Sequence, residues 1–219
     1  MSAPESEITM SKPLFGRYRA VVFDVYGTLL RIPEQRSAPY RALLRWLAAH
    51  GRRPNAMDAV WVMTQNLPFD DFARSLGVPA PLIETWAAAL DNDLAAVTVF
   101  EDVETTLDGL SRRKLPVAIC SNAAHPYRAP LHRLIRTGIQ HEIWSFAVGT
   151  IKPAPAIYAA CSEVLQCPPS DILFVGDTPA ADVDGPRSAG FGVRLIDRQQ
   201  PGVPGERLQH LTQLFQDDY

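Results

Sequence analysis

Residues 21–30 read Val-Val-Phe-Asp-Val-Tyr-Gly-Thr-Leu-Leu, so Asp24 stands where an apolar run gives way to a Gly27-Thr28 turn. Val21, Val22 and Phe23 spell a buried strand, and the glycine after them turns the chain. In an open parallel sheet, ligands sit beyond the carboxyl ends of the strands. A carboxylate held there is placed for nucleophilic attack or metal binding, while its plainer role is to cap the turn that follows. The pattern returns late in the chain, where Ile172-Leu173-Phe174-Val175 runs into Gly176-Asp177.

These acids need a sheet to bring them together. Five short apolar runs predict strands at 19–24, 116–120, 144–148, 171–175 and 192–196, with helical periodicity near 103–113, 127–137, 154–166 and 180–189. Strands alternating with helices of this length predict a parallel sheet covered on both faces. From residue 33 to 97 the alternation stops. Tyr40, Leu43, Leu44 and Leu47 fall at helical spacing, followed by apolar groups around Val60–Met63, Phe69–Leu76 and Leu82–Leu90. Pro54, Pro68 and Pro79 sit near the starts of the second to fourth of these helices. The segment is expected to be an all-helical insert directly after the Asp24 turn, where a lid could close. Trp46, Trp61 and Trp86 are expected in its core rather than on a substrate. Residues 1–18 read as a flexible leader, leaving 19–32 and 98–219 as the main domain.

Two further segments complete a pattern. Ser121 and Asn122 follow the run Val117–Cys120, and Lys152 stands in Gly149-Thr150-Ile151-Lys152-Pro153. With Asp24-x-x-Gly27-Thr28 before them and Gly176-Asp177-x-x-x-x-Asp182 after, the chain resembles the haloacid dehalogenase-like hydrolase superfamily over roughly residues 19–197. The placement of the insert is similar to the subclass with a helical cap between the first two motifs. The resemblance implies a Rossmann-like, three-layer α/β core, with Asp24 as nucleophile and Ser121 and Lys152 as catalytic partners. The residue types agree with that. Aspartate can attack phosphorus or an alkyl carbon and divide one displacement into two. Lys152, the Ser121 hydroxyl, Asn122 and the Gly27-Thr28 turn would cradle a phosphoryl group. Asp24, Asp177 and the main-chain carbonyl near Tyr26 would hold Mg²⁺ through hard oxygens, and Lys152 would offset the repulsion between the acids. Asp182 would orient Lys152 or complete the outer shell of the metal, or else be a first-turn acid favoured by the helix dipole. Thr178 would serve as a helix cap, and Asp184 would face solvent.

One position departs from the phosphatases of this superfamily, which usually carry a second Asp two residues after the nucleophile. Here it is Tyr26, a phenol whose ordinary pKa near 10 makes it a poor base at neutral pH. Tyrosine there looks like the 2-haloacid dehalogenases, whose halide leaves without a proton. None of Arg31, Arg36, Arg41, Arg45, Arg52 and Arg53 matches the dehalogenase arginine signature, and Gly176-Asp177 is the metal-using form of the last motif. The expected function is therefore a Mg²⁺-dependent phosphatase for small phosphorylated metabolites. The alternatives are a dehalogenase-type hydrolase, or a non-catalytic protein that binds phosphate and Mg²⁺. His125 is either a plain loop histidine or a substitute proton carrier.

The composition fits a folded enzyme with a small-molecule substrate. Of 219 residues, 47% are hydrophobic and 21% charged, enough for a sizeable core. A net charge of −3 supplies no cationic field for nucleic acid or an anionic membrane. No apolar run is long enough to span a bilayer. Cys120, Cys161 and Cys167 form neither a paired framework nor a zinc cluster, which favours the cytoplasm. Monomer and homodimer are both open.

Overall fold

The structure, a computed structural model, describes residues 14–34, 36–199 and 207–218. Most of the leader, residues 1–13, lies outside them. Leu14–Arg17 forms one helical turn (α1), and Tyr18 beside it is buried.

The chain then enters β1 (Ala20–Phe23), all four residues of which are 0% exposed. It passes through a two-residue strand, β2 (Leu30–Arg31), into α2 (Pro39–Ala49), α3 (Asp58–Met63), α4 (Phe69–Ser75) and α5 (Ala80–Ala95). It returns through β3 (Thr98–Val99), which pairs antiparallel with β2. Next come α6 (Val103–Arg112), β4 (Val117–Ser121), α7 (Ala129–Leu134), β5 (His141–Trp144), α8 (Ser145–Val148) and α9 (Pro155–Leu165). The last elements are β6 (Ile172–Gly176), a π-helical turn at Pro179–Asp184, α10 (Gly185–Ser188), β7 (Gly192–Ile196), β8 (Arg207–Leu208) and a 3-10 helix at Leu211–Asp218.

The main sheet has six parallel strands in the order β5-β4-β1-β6-β7-β8. Its central strands alternate between two cores. Val21, Phe23, Ile119, Leu173 and Val175 face one helical layer, and Ala20, Val22, Ala118, Cys120 and Phe174 face the other. Burial on both faces is why these strands read as unbroken apolar runs. The result is a Rossmann-like, three-layer architecture with an inserted helical cap.

The cap has a core of its own. Leu43, Leu47, Val62, Phe69, Phe72, Ile83 and Leu90 are buried together, and Trp46, Trp61 and Trp86 pack against them as expected. Pro68 and Pro79 immediately precede α4 and α5, where a missing N–H costs no helical bond. Among the described residues, two side chains hydrogen-bond between core and cap. The Ser145 hydroxyl at the start of α8 donates to the Met63 carbonyl in the cap at 2.8 Å. Arg133 Nη2 on α7 donates to the carbonyls of Leu94, Ala95 and Val97 at 2.9, 3.3 and 3.4 Å. That guanidinium closes the C-terminus of α5 next to the β2–β3 pair, satisfying orphan carbonyls with a cation at the negative end of the helix. Arg133→Ala is expected to lower stability by about 1 kcal/mol and to speed amide exchange through 94–99, read by denaturant midpoint and exchange mass spectrometry.

The strand expected at 144–148 is corrected. β5 ends at Trp144, and residues 145–148 form a helical turn closed by Gly149 at φ 78°. Trp144 and Phe146 are both buried and their rings stack 5.8 Å apart, so the apolar run continues across a change of secondary structure. The helix expected at 127–137 is shorter, with a 3-10 turn at His125–Arg128 and α7 ending at Leu134. The one expected at 180–189 is divided between the π-helical turn and α10.

Candidate active site

β1, β4 and β6 are neighbours at the centre of the sheet, so their carboxyl ends deliver Asp24, Ser121 and Asp177 to one mouth. Lys152 arrives from the loop between α8 and α9. Its ammonium, on a residue only 3% exposed, lies 2.8 Å from Asp24 Oδ1 and 2.6 Å from Asp182 Oδ1. Burial works against the lysine's charge, but the two carboxylates outweigh it and hold its pKa above the usual lysine range.

Carboxylate oxygens of Asp24, Asp177 and Asp182 lie within 4.8 Å of one another, so the cluster could hold a divalent metal. Both oxygens of Asp182 are already engaged, Oδ1 by Lys152 and Oδ2 by the Thr178 N–H at 2.9 Å. Its carboxyl is pushed up to about 6, first by burial and then by Asp24, with Lys152 pulling the other way. Asp182 is thus held between the Lys152 ammonium and the Thr178 N–H. Among the described residues Asp24 Oδ2 has no hydrogen-bond partner, and Asp177 is exposed at the mouth with its pKa raised by lost hydration and by Asp24. The one ammonium pairs with two of the three carboxylates, Asp24 and Asp182, and the charge left over makes this donor set fit a hard cation.

Glycine makes room for the cluster. Gly27 has φ 91°, and a Cβ there would lie 2.0 Å from Asp177 Oδ2. A Cβ on Gly176 would lie 2.3 Å from the Asp182 carboxyl carbon. Both positions need the bare backbone for close approach. The wide turn at Pro179–Asp184 is a π-helical segment, a form that gathers at functional sites.

Asn122 holds the lysine loop. Its Nδ2 donates to the Lys152 carbonyl at 2.8 Å, and its Oδ1 accepts from the Lys152 N–H at 2.7 Å. The amide expected to touch phosphate is thus occupied with backbone. Ser121 is 2% exposed at the end of β4. The Thr28 hydroxyl is buried without a partner among the described residues, while the Thr28 carbonyl accepts from Arg198. Tyr26 points its phenol away from proton work. The hydroxyl donates to the Tyr127 carbonyl at 2.6 Å, and burial, then Tyr127, push its pKa well above the ordinary value. Among the described residues no donor reaches the Tyr26 carbonyl. His125 packs its ring 5.1 Å from that of Phe146, with Nδ1 buried and unpartnered and its pKa lowered by burial and Arg128.

Between cap and core lies a cavity of about 320 Å³. Tyr26, Asn122 and Tyr127 line it from the core, and Tyr40, Leu44, Val62 and Met63 line it from the cap. Sequence reasoning missed Tyr127 and Ser145, whose parts here are played by a main-chain carbonyl and by a bridging hydroxyl.

A capped parallel sheet with acids at adjacent strand ends is an α/β architecture with a candidate site at the sheet's mouth. A family profile, that of haloacid dehalogenase-like hydrolases, matches residues 18–190, and the chain belongs to that family. It is 27% identical over 218 aligned positions to (S)-2-haloacid dehalogenase 2 of Pseudomonas sp. (strain CBS-3), covering 88% of this chain and 90% of that protein. It is also 27% identical over 187 positions to a phosphoglycolate phosphatase of Pseudomonas fluorescens, covering 78% of this chain and 66% of that one. Among solved structures, a HAD phosphatase from Thermococcus onnurineus superposes with a TM-score of 0.60 at 22% identity, covering 90% of this chain and 95% of that one. No helix among the described residues is long and apolar enough to cross a membrane.

Proposed function

We propose that the protein is a Mg²⁺-dependent phosphatase that uses Asp24 as a covalent nucleophile on small phosphate esters. The observation that carries this reading is the unbalanced charge of the cluster, three carboxylates around one buried lysine. A halide-displacing aspartate would work best without two further acids beside it. Asp24, Asp177 and the Tyr26 carbonyl would hold Mg²⁺, which when bound supplies positive charge against a phosphate oxygen.

In the chemistry, an Asp24 carboxylate oxygen bonds to phosphorus as the ester P–O bond breaks, and the electron pair departs on the leaving oxygen. Water then bonds to phosphorus, frees the Asp24 carboxylate and releases inorganic phosphate. Lys152 pairs with Asp24 and, with Ser121 and the Gly27-Thr28 turn, faces the charge that builds on the phosphoryl oxygens. Asp182 and Asn122 fix the lysine. The cap, residues 33–97 in this reading, closes the site from water. Tyr26, with its hydroxyl donated to Tyr127, cannot act as general acid, so leaving groups of low basicity are favoured.

Hydrolysis of 4-nitrophenyl phosphate is expected to disappear in EDTA, to return with Mg²⁺, and to be lost in Asp177→Ala. Tyr26 and the likeness to a haloacid dehalogenase favour a second reading, displacement of halide from a 2-haloacid. Halide release indifferent to EDTA, without phosphatase activity, would establish that one instead.

A further inference from the structure

The cap cavity carries chemistry that the acid cluster does not account for. It holds about 320 Å³, while a dry pocket of about 150 Å³ already accommodates benzene. Its walls are mostly apolar and aromatic: Tyr26, Tyr40, Leu44, Val62, Met63 and Tyr127. Its lining also includes Arg36 and Arg41, which line a second cavity of about 330 Å³ together with Glu34. Neither guanidinium has a salt bridge among the described residues, where six other arginines do have one.

Two of the cavity's lining residues, Tyr26 and Asn122, adjoin the reacting groups along the chain or by hydrogen bond. Tyr26 lies two residues beyond Asp24, and Asn122 is doubly hydrogen-bonded to the backbone of Lys152. A group joined to the phosphoryl centre would therefore extend between the tyrosines toward the arginines. The fixed phenol of Tyr26 adds a separate constraint, because an alkoxide cannot leave easily without a proton donor whereas a phenolate can.

We propose that the substrate is an aryl phosphate whose ring fills this cavity and carries an anionic substituent, a carboxylate or a second phosphate, held by Arg36 and Arg41. The aromatic walls give the ring edge and face contacts, and the guanidiniums pair with the anion at the far end. In the first step the ester oxygen leaves as phenolate, with its electron pair delocalised into the ring. It takes a proton from solvent after release. This assignment rests on the phosphatase reading above, and its test separates the two.

The measurement is kcat/KM with Mg²⁺ for phenyl phosphate and 4-carboxyphenyl phosphate, alongside calorimetric binding of phenol and 4-hydroxybenzoate. Wild type should favour the carboxylated ester about 10- to 100-fold, and 4-hydroxybenzoate should bind tighter than phenol by a similar factor. In the double variant Arg36→Gln/Arg41→Gln both ratios should fall to within about twofold of unity. Equal values for both compounds in wild type, or a preference that survives in the double variant, would overturn the assignment. If neither ester turns over but the arginine-dependent binding difference is present, the pocket stands and the phosphatase reading falls.

Discussion

Asp24→Asn is expected to lower kcat on an activated aryl phosphate by at least about a thousandfold while leaving the thermal midpoint close to the parent value. The amide keeps an oxygen that can accept from Lys152 Nζ, and Lys152 retains its partner Asp182 at 2.6 Å, so the local structure has no cause to collapse. What is lost is the anionic oxygen that must bond to phosphorus and one hard ligand for the cation. Mass spectrometry of acid-quenched wild type should find a phosphoryl adduct on Asp24 that the variant lacks. Activity within about twofold of wild type, with deamidation excluded, would remove Asp24 from its role.

Lys152→Met should act on stability as well as on rate. The lysine is the one cation between Asp24 and Asp182, and taking away one partner of a buried ion cluster costs about 3 kcal/mol or more. The expected result is a fall of that size in unfolding free energy, with Mg²⁺ recovering part of it. A divalent ion can take over some of the neutralising charge. Turnover should fall about a hundredfold or more even with saturating Mg²⁺, because the metal cannot replace the hydrogen bond that aims Asp24. Parental turnover in a folded Lys152→Met protein would contradict this account of the lysine.

The central strands were readable from sequence because their position leaves no solvated face. Phe23, Ile119 and Val175 point one way and Val22, Ala118 and Phe174 the other, so hydrophobicity is continuous and a polar residue at the end stands out. The same physics hid the end of β5. Trp144 and Phe146 are buried on both sides of the strand–helix boundary, and apolar content cannot tell one from the other. β2 and β3, at two residues each, are too short to show any period. In the candidate site, acids and lysine announced themselves by type and spacing. Tyr127 and Arg133 did not, since one takes the Tyr26 hydroxyl on a main-chain oxygen and the other reads main-chain oxygens of the cap. Backbone partners leave no mark in the order of side chains. The engagement of Asn122 with the Lys152 backbone was hidden in the same way, although its position beside Ser121 had marked it for the site.

The Ser145 hydroxyl has two acceptors in reach, Met63 O across the cap boundary at 2.8 Å and Ala123 O within the core at 3.1 Å, while its own oxygen accepts from the Ala123 N–H. A hydroxyl carries one proton and rotates freely enough to choose between them. If Met63 withdraws, that proton can swing to Ala123 and no donor is stranded in the interior. Parting the two surfaces at this point then exchanges one hydrogen bond for another, and the Met63 carbonyl moves into water. The latch between the two halves of the molecule is weak by construction, holding orientation when they meet without setting a barrier to their separation.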